Sequence, residues 1–250
     1  MIDLSIVIPA YKEAETVGES LERLAAFLAE RPNYGEVEVI VVSDGDSTSG
    51  EAAETKKHLF KHLNVIYPGR RLGKGGGVRR GILAAKGRYR LFMDADLATP
   101  LRHLDDVKRL MDEGAPVIIA VRNLWRIHKT FSRKLVSKVA NLVVQVVVLP
   151  GIRDSQCGFK AFSAEAAESI FRRQRMTSWS FDVEILAIAK SLGYKIYYFN
   201  APDWHDPKAD TGGLSGESAL KIAVKQATDP LKVRWNLWRG ADRHPHYRED

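Results

Sequence analysis

Short apolar runs alternate with segments of helical periodicity along most of this chain, and this alternation constrains the fold more than any other feature. Residues 4–10 and 37–42 are rich in β-branched side chains, which is typical of strands buried on both faces. Between them, apolar side chains recur at helical spacing over residues 14–28. The pattern predicts an α/β protein with a mostly parallel central sheet flanked by helices, a three-layer sandwich similar to the Rossmann fold.

The same periodicity predicts the other elements and the domain organisation. Further strands are predicted at 64–67, 89–93, 116–121 and 194–199. Further helices are predicted from the turn after residue 46 to about residue 60, and at 73–83, 131–149, 164–172 and 182–192. A chain of 250 residues that is 45% hydrophobic can bury one sizeable core. We therefore expect one main domain over residues 1–215 and a helical, basic C-terminal extension over residues 216–250.

Several features indicate a protein of the cytoplasm. The single cysteine, Cys157, cannot form an internal disulfide, so nothing points to an oxidising compartment. The N-terminus lacks the basic segment and cleavage site of a signal peptide. The longest apolar run, residues 139–149, is shorter than the roughly 18 residues that span a bilayer and contains Asn141 and Gln145. A buried helix is favoured there, and a segment that dips into a membrane is the alternative.

The net charge of +7 favours anionic partners without choosing among nucleic acids, anionic membranes and phosphorylated ligands. Basic residues concentrate in a central segment, Arg122, Arg126, His128, Lys129, Arg133, Lys134 and Lys138. They also concentrate in the tail, at Lys232, Arg234, Arg239, Arg243 and Arg248. Because we find neither a nucleic-acid-binding module nor interleaved aromatic side chains, we expect no nucleic-acid partner.

Carboxylates directly follow two of the predicted strands. Asp44 and Asp46 come after the second strand, and Asp94 and Asp96 come after the strand at 89–93. Ligands of parallel α/β sheets bind at the carboxyl ends of the strands. Two carboxylates that flank one small residue can share a hard divalent cation, which neutralises the charge on a departing nucleoside diphosphate. A solvated turn is the alternative, and the buried strand before Asp94 favours a metal site.

Residues that follow the first two strands are candidates to bind a nucleotide. The ring of Tyr11 can stack on a base, while Glu13 and Asp44 can accept hydrogen bonds from ribose hydroxyls or base N–H groups. Ordinary loop polarity is the alternative. His205 follows an apolar segment and could contact metal or phosphate, although a lone histidine is more often structural.

The glycine-rich stretch at 69–77 matches no standard phosphate-binding motif. Gly75 follows Lys74 where the Walker motif needs Ser or Thr, and Val78 stands where a dinucleotide fingerprint needs its third glycine. A helix that begins here could still bring backbone N–H groups and Lys74 near a phosphate, and a tight turn is the equal alternative. Arg122 and Arg133 are candidate diphosphate ligands, with a basic surface patch as the alternative.

Taken together, these segments resemble the family 2 nucleotide-sugar glycosyltransferases with the GT-A fold. The resemblance covers roughly residues 4–200 and rests on five segments: Val7-Ile8-Pro9-Ala10-Tyr11-Lys12-Glu13, Val41-Val42-Ser43-Asp44-Gly45-Asp46, Asp94-Ala95-Asp96, the 152–160 block around Cys157, and Trp179-Ser180-Phe181-Asp182-Val183-Glu184. The last two segments are most similar to the dolichyl-phosphate β-glucosyltransferase branch, and the dolichyl-phosphate mannose synthases come second.

This resemblance implies an inverting transfer of glucose from UDP-glucose, or of mannose from GDP-mannose, onto a polyprenyl phosphate. It implies nucleotide contacts from Pro9, Tyr11, Glu13 and Asp44, a Mg²⁺ or Mn²⁺ ion on Asp94 and Asp96, and a diphosphate contact from Arg122. The sequence departs from the family at Lys12, where Asn is usual, and at Ser43, where the first Asp is usual. The segment after Trp204 is also longer than expected.

The chemistry of the acceptor separates two mechanisms. A hydroxyl nucleophile needs a general base, for which Asp182 or Glu184 is the candidate, with helix capping as the alternative role. A lipid phosphate with a second pKa of about 6 is already largely dianionic at neutral pH and needs only positive charge to position it. The basic segment at 122–138 supplies such charge and would attract an anionic membrane surface. We therefore expect a peripheral protein at the cytoplasmic face, and a family 2 enzyme with a glycan or small hydroxyl acceptor is the alternative.

Overall fold

The computed structural model describes residues 1–122, 148–152, 154–178, 180–205 and 228–240. Its strands are β1 (Leu4–Ala10), β2 (Val37–Ser43), β3 (Leu63–Ile66), β4 (Tyr89–Met93), β5 (Val117–Arg122), β6 (Phe159–Ser163) and β7 (Ile196–Ala201). Its helices are α1 (Ala14–Ala29), α2 (Thr48–Glu54), α3 (Lys74–Ala84), α4 (His103–Asp112), α5 (Ala164–Phe171), α6 (Phe181–Ser191) and α7 (228–238). Short 3₁₀ turns occur at Pro32–Tyr34 and Lys57–Leu59.

All of these strands belong to one sheet with the order β3-β2-β1-β4-β6-β5-β7. Strands β1 to β4 run parallel to one another, and β5 pairs in parallel with β7. Only β6, among the described strands, is antiparallel to its neighbours β4 and β5. The predicted mostly parallel sheet is therefore confirmed.

The core forms two layers because successive strand side chains point to opposite faces of the sheet. In β1, Ile6 and Ile8 pack with α1 and α4 on one face, while Val7 packs with α3, α5 and α6 on the other. All three side chains are fully buried. A strand covered by helices on both faces has to be apolar at every position, which explains the continuous β-branched runs.

The structure differs from the sequence prediction in three described elements. The predicted helix to about residue 60 ends at Glu54, and a separate 3₁₀ turn follows it. Strand β6 and helix α4 were not predicted. A charged residue, Lys160, interrupts the apolar run of β6, and α4 carries mostly charged residues on its exposed face.

Other predictions concern residues outside the described ranges. Nearly all of the predicted helix at 131–149 lies in 123–147, and the predicted domain boundary at 215 lies in 206–227. Both remain predictions. Within the described ranges, no helix combines the length and the apolar character that crossing a membrane requires.

Helix α3 lies unusually close to the sheet at Gly81. A Cβ atom at this position would overlap the Val7 side chain and would lie 3.0 Å from Cγ2 of Val42. Because α3 begins in the glycine-rich turn, this close packing also fixes the position of that turn relative to β1 and β2.

We expect Gly81→Ala to lower the free energy of unfolding by about 1–3 kcal/mol, because the added methyl group overpacks the contact with Val7 and Val42. Chemical denaturation measures this loss. Gly18→Ala in α1 is the matched control, since its new Cβ would meet only Lys56 Cε at 3.7 Å. The control should gain about 0.5–1 kcal/mol from helix propensity. An equal gain in both variants would contradict the packing argument.

Candidate active site

The predicted site residues meet at one edge of the sheet. Strands β1, β2, β4 and β5 share one direction, so their carboxyl ends lie together. Because β6 runs the opposite way, the residues before it reach the same edge. The structure thereby gathers side chains from six stretches of chain: 11–13, 44–46, 71–75, 94–96, Arg122 and 154–158.

Asp94 is held between a lysine and a glycine. Lys74 Nζ lies 2.5 Å from Asp94 Oδ1, and a Cβ atom at Gly158 would overlap the Asp94 carboxylate. Burial disfavours the Lys74 ammonium, but Asp94 and Asp182 outweigh that effect and raise the pKa of Lys74. Lys74 is therefore a fixed positive charge beside the metal-ligand candidate.

Asp96 lies in a tight turn. Its Oδ1 accepts a hydrogen bond of 3.1 Å from the Ala98 N–H, and Leu97 adopts a left-handed conformation with φ of 51°. The backbone N–H of His205 donates to Ala98 O at 3.1 Å, which brings this exposed histidine next to the turn. Its predicted contact with metal or phosphate remains a prediction.

The donor chemistry of Asp94 and Asp96 fits a hard divalent cation. Within the described residues, no group of three or more His, Cys, Asp and Glu side chains could hold a metal ion. Mg²⁺, however, commonly binds through one or two carboxylates and completes its shell with waters and substrate phosphates. The two carboxylates that follow β4 fit this mode of coordination.

A buried ion pair lies beside Lys74 and Asp94. Lys160 Nζ is 2.5 Å from Asp182 Oδ1 and also donates to Cys157 O at 2.5 Å. Both partners are buried, Lys160 completely. Burial raises the pKa of Asp182, and the positive charges of Lys160 and Lys74 oppose this rise. Lys160 was not among the predicted site residues, although a lysine between apolar side chains indicates a buried partner.

Arg122 makes a two-pronged ion pair with Asp154. Its Nε and Nη2 donate to the two carboxylate oxygens at 2.7 and 2.9 Å, and its backbone N–H adds a third bond of 3.1 Å. Burial opposes the Asp154 carboxylate, but Arg122 outweighs it and lowers the pKa of Asp154. The guanidinium also lies 5.0 Å from the centre of the Trp204 ring. A diphosphate contact from Arg122 remains a prediction, and it would use the donors that Asp154 leaves available.

Asp44 holds the glycine-rich turn. Its carboxylate accepts hydrogen bonds from the N–H groups of Leu72 at 2.5 Å and Gly73 at 2.9 Å. The Gly75 N–H donates to Thr177 O at 2.9 Å. These three N–H groups are thus bonded to protein oxygens. The bonds hold the turn in a position from which the Lys74 side chain reaches Asp94. The nucleotide contact predicted for Asp44 is untested and would use its remaining lone pairs.

The residues that follow β1 already contact other parts of the protein. The guanidinium of Arg71 lies 3.8 Å from the centre of the Tyr11 ring, on a face that a base could also use. The Glu13 N–H donates to Ser49 Oγ at 3.0 Å. Pro9, inside β1, faces the start of α3. The nucleotide roles of these residues remain predictions.

Of the two remaining candidates, Glu184 is described by the structure and Arg133 is not. Glu184 accepts hydrogen bonds from the backbone N–H groups of Arg175 at 3.0 Å and Met176 at 2.7 Å, so it anchors the segment before α6. Arg133, with most of the basic segment at 122–138, lies outside the described residues.

We expect Lys160→Met to lower the free energy of unfolding by about 3–5 kcal/mol, because it leaves the buried Asp182 carboxylate without its cation. The double variant Lys160→Met with Asp182→Asn should lose less than the sum of the two single variants, as measured by denaturation in a double-mutant cycle. Lys108→Met, at the exposed pair with Asp112, is the control and should change stability by less than about 1 kcal/mol. Strict additivity would contradict the coupling.

Comparison with known proteins identifies the family of this chain. Residues 5–171 match the family model described as glycosyl transferase family 2. The chain is 31% identical to the dolichyl-phosphate beta-glucosyltransferase of Dictyostelium discoideum, over 96% of this chain and 76% of that protein. It is 35% identical to the Drosophila melanogaster protein of the same name, over 76% of this chain and 64% of the relative.

A solved structure shows the same architecture. Glucosyl-3-phosphoglycerate synthase from Mycobacterium tuberculosis, crystallised with Mn²⁺, UDP and glucosyl-3-phosphoglycerate, matches with a TM-score of 0.65 and 20% identity. The match covers 93% of this chain and 80% of that one. The family model, the relatives and this fold confirm the resemblance found in the motifs: the chain belongs to glycosyl transferase family 2 and is a glycosyltransferase with the GT-A fold.

Proposed function

We propose that this glycosyltransferase uses a divalent metal to move glucose from UDP-glucose, with inversion, onto a polyprenyl phosphate such as dolichyl phosphate. The observation that carries the proposal is the pairing of Lys74 with Asp94, directly after β4, with the charge of Asp182 close by at the start of α6. The names of the curated relatives support the choice of a glucosyl group and of a lipid phosphate.

The donor would bind at the edge formed by β1, β2 and β4. Asp94 and Asp96 would hold Mg²⁺ or Mn²⁺, which when bound neutralises the charge that develops on the departing diphosphate. Lys74 places a second positive charge at the same point without moving, since Asp44 and Thr177 fix the turn around it. The M. tuberculosis synthase supports this arrangement because it was crystallised with Mn²⁺ and UDP.

Both candidate general bases already have hydrogen-bond or ion-pair partners within the protein, which supports a phosphate acceptor. A hydroxyl acceptor would need a free general base. Asp182 is buried and paired with Lys160, and Glu184 accepts two backbone N–H groups. A phosphate monoester that is already dianionic attacks without losing a proton, so it requires positive charge rather than a base. The lipid character of this acceptor supports a peripheral location at the cytoplasmic membrane face.

We expect Asp96→Ala to lower kcat for glucose transfer by at least about a hundredfold, since it removes a metal ligand that contributes several kcal/mol of charge stabilisation. The assay follows labelled glucose from UDP-glucose into a polyprenyl phosphate with Mn²⁺ or Mg²⁺. Asp112→Ala is the matched control, because that exposed carboxylate ends α4 near the opposite edge of the sheet. Full activity of Asp96→Ala, or full activity of the native protein in a chelator, would refute metal dependence.

A thermal-stability measurement tests which nucleotide sugar is the donor. We expect UDP-glucose with Mn²⁺ to raise the melting temperature more than GDP-mannose with Mn²⁺ at the same concentration, because the true donor should have the lower Kd. A ligand that binds the native state stabilises it by about 2.7 kcal/mol at a hundred times its Kd. The Asp94→Asn variant should lose most of the metal-dependent part of this shift. A larger shift with GDP-mannose would overturn the assignment to glucose and leave the enzyme class unchanged.

A further inference from the structure

Helix α7 exposes an unusually apolar face. Leu231, Trp235 and Trp238 are 53%, 51% and 73% exposed. They are four and three residues apart, so they lie on one side of the helix. The two indole rings are 5.2 Å apart and form one aromatic surface. Surface tryptophans of this exposure are uncommon unless a partner covers them.

Basic side chains surround this face. The Arg239 guanidinium lies 4.7 Å from the centre of the Trp235 ring, the Lys232 side chain is two-thirds exposed, and Arg234 is exposed. Lys232 Nζ also lies 3.4 Å from Asp229 Oδ1, one turn earlier in the helix. A short helix with tryptophans on one side and lysine or arginine around them is typical of helices that lie in the interface of an anionic bilayer.

The other side of α7 fixes it to the catalytic domain. Val233 is buried in the core, and the buried Asp229 accepts a hydrogen bond of 2.7 Å from Ser180 Oγ. Ser180 comes two residues before Asp182 of the candidate site. The described part of the helix therefore lies against the segment that carries Asp182, and Trp235 lies about 9 Å from Asp229 along the helix axis.

We propose that α7 docks this protein on anionic lipid bilayers, with Trp235 and Trp238 inserted among the head groups and the basic residues beside lipid phosphates. The basic rim complements an anionic surface. The apolar face comprises three side chains, each of which can bury at most about 250 Å². Their combined area is less than the roughly 800 Å² that each partner buries in a stable protein interface. The proposal rests on the proposed function in one respect: a lipid-phosphate acceptor gives the enzyme a reason to lie on a membrane.

Vesicle cosedimentation of the full chain tests the docking. The native protein should bind vesicles that contain phosphatidylcholine and phosphatidylglycerol, and the variant Trp235→Ser with Trp238→Ser should bind at least about tenfold more weakly. Tyr67→Ser with Tyr198→Ser is the matched control, because it removes two half-exposed rings elsewhere and should bind like the native protein. Lys232→Glu with Arg234→Glu should weaken binding at low salt and make little difference at high salt.

A second assay separates docking from catalysis. Glucose transfer to a short-chain, water-soluble polyprenyl phosphate without vesicles should be unchanged in the tryptophan variant, which also shows that the variant is folded. Inactivity of every protein in this assay, with vesicle binding intact, would refute the proposed function and support docking. Native-like vesicle binding by the tryptophan variant would overturn docking. So would a native dimer that dissociates when the tryptophans are replaced, since a second copy would then cover the face.

Discussion

The ion pair between Lys160 and Asp182 sets the charges on which the candidate site depends. It joins β6, in the interior of the sheet, to the start of α6, and both side chains are buried. Removal of one charge from a buried pair is costly because the other is left unpaired. Asp182 in turn interacts with Lys74, which pairs with Asp94. Cations and anions therefore alternate through the site before a substrate binds, and each holds its neighbour in position.

Much of the fold was predictable from local sequence. Strands buried on both faces show as runs of β-branched residues, and parallel strands bring Asp44 and Asp94 to one edge. The partners of these side chains were not predictable. Asp44 bonds Leu72 and Gly73, 28 and 29 residues away, and Arg122 bonds Asp154, 32 residues away. Such pairings depend on how distant segments pack, which periodicity does not record.

The glycine-rich turn illustrates this limit. Its sequence left phosphate binding and a tight turn equally open, and the structure shows three of its N–H groups bonded to Asp44 and Thr177. These bonds hold the turn, which carries both Lys74 beside Asp94 and Arg71 on the Tyr11 ring. If a nucleotide base stacked on that face of Tyr11, as the sequence predicts, it would have to displace Arg71 or replace its contact.

The reversed direction of β6 has a consequence for how such a site diversifies. Most strands of the sheet contribute residues from the loop that follows them, whereas β6 contributes Asp154 and Gly158 from the loop that precedes it. Arg122, at the end of β5, and Asp154, before β6, therefore meet at the site. Insertions or deletions between Arg122 and Asp154 would leave the register of β1, β2 and β4 unchanged, because these strands pair with one another earlier in the chain.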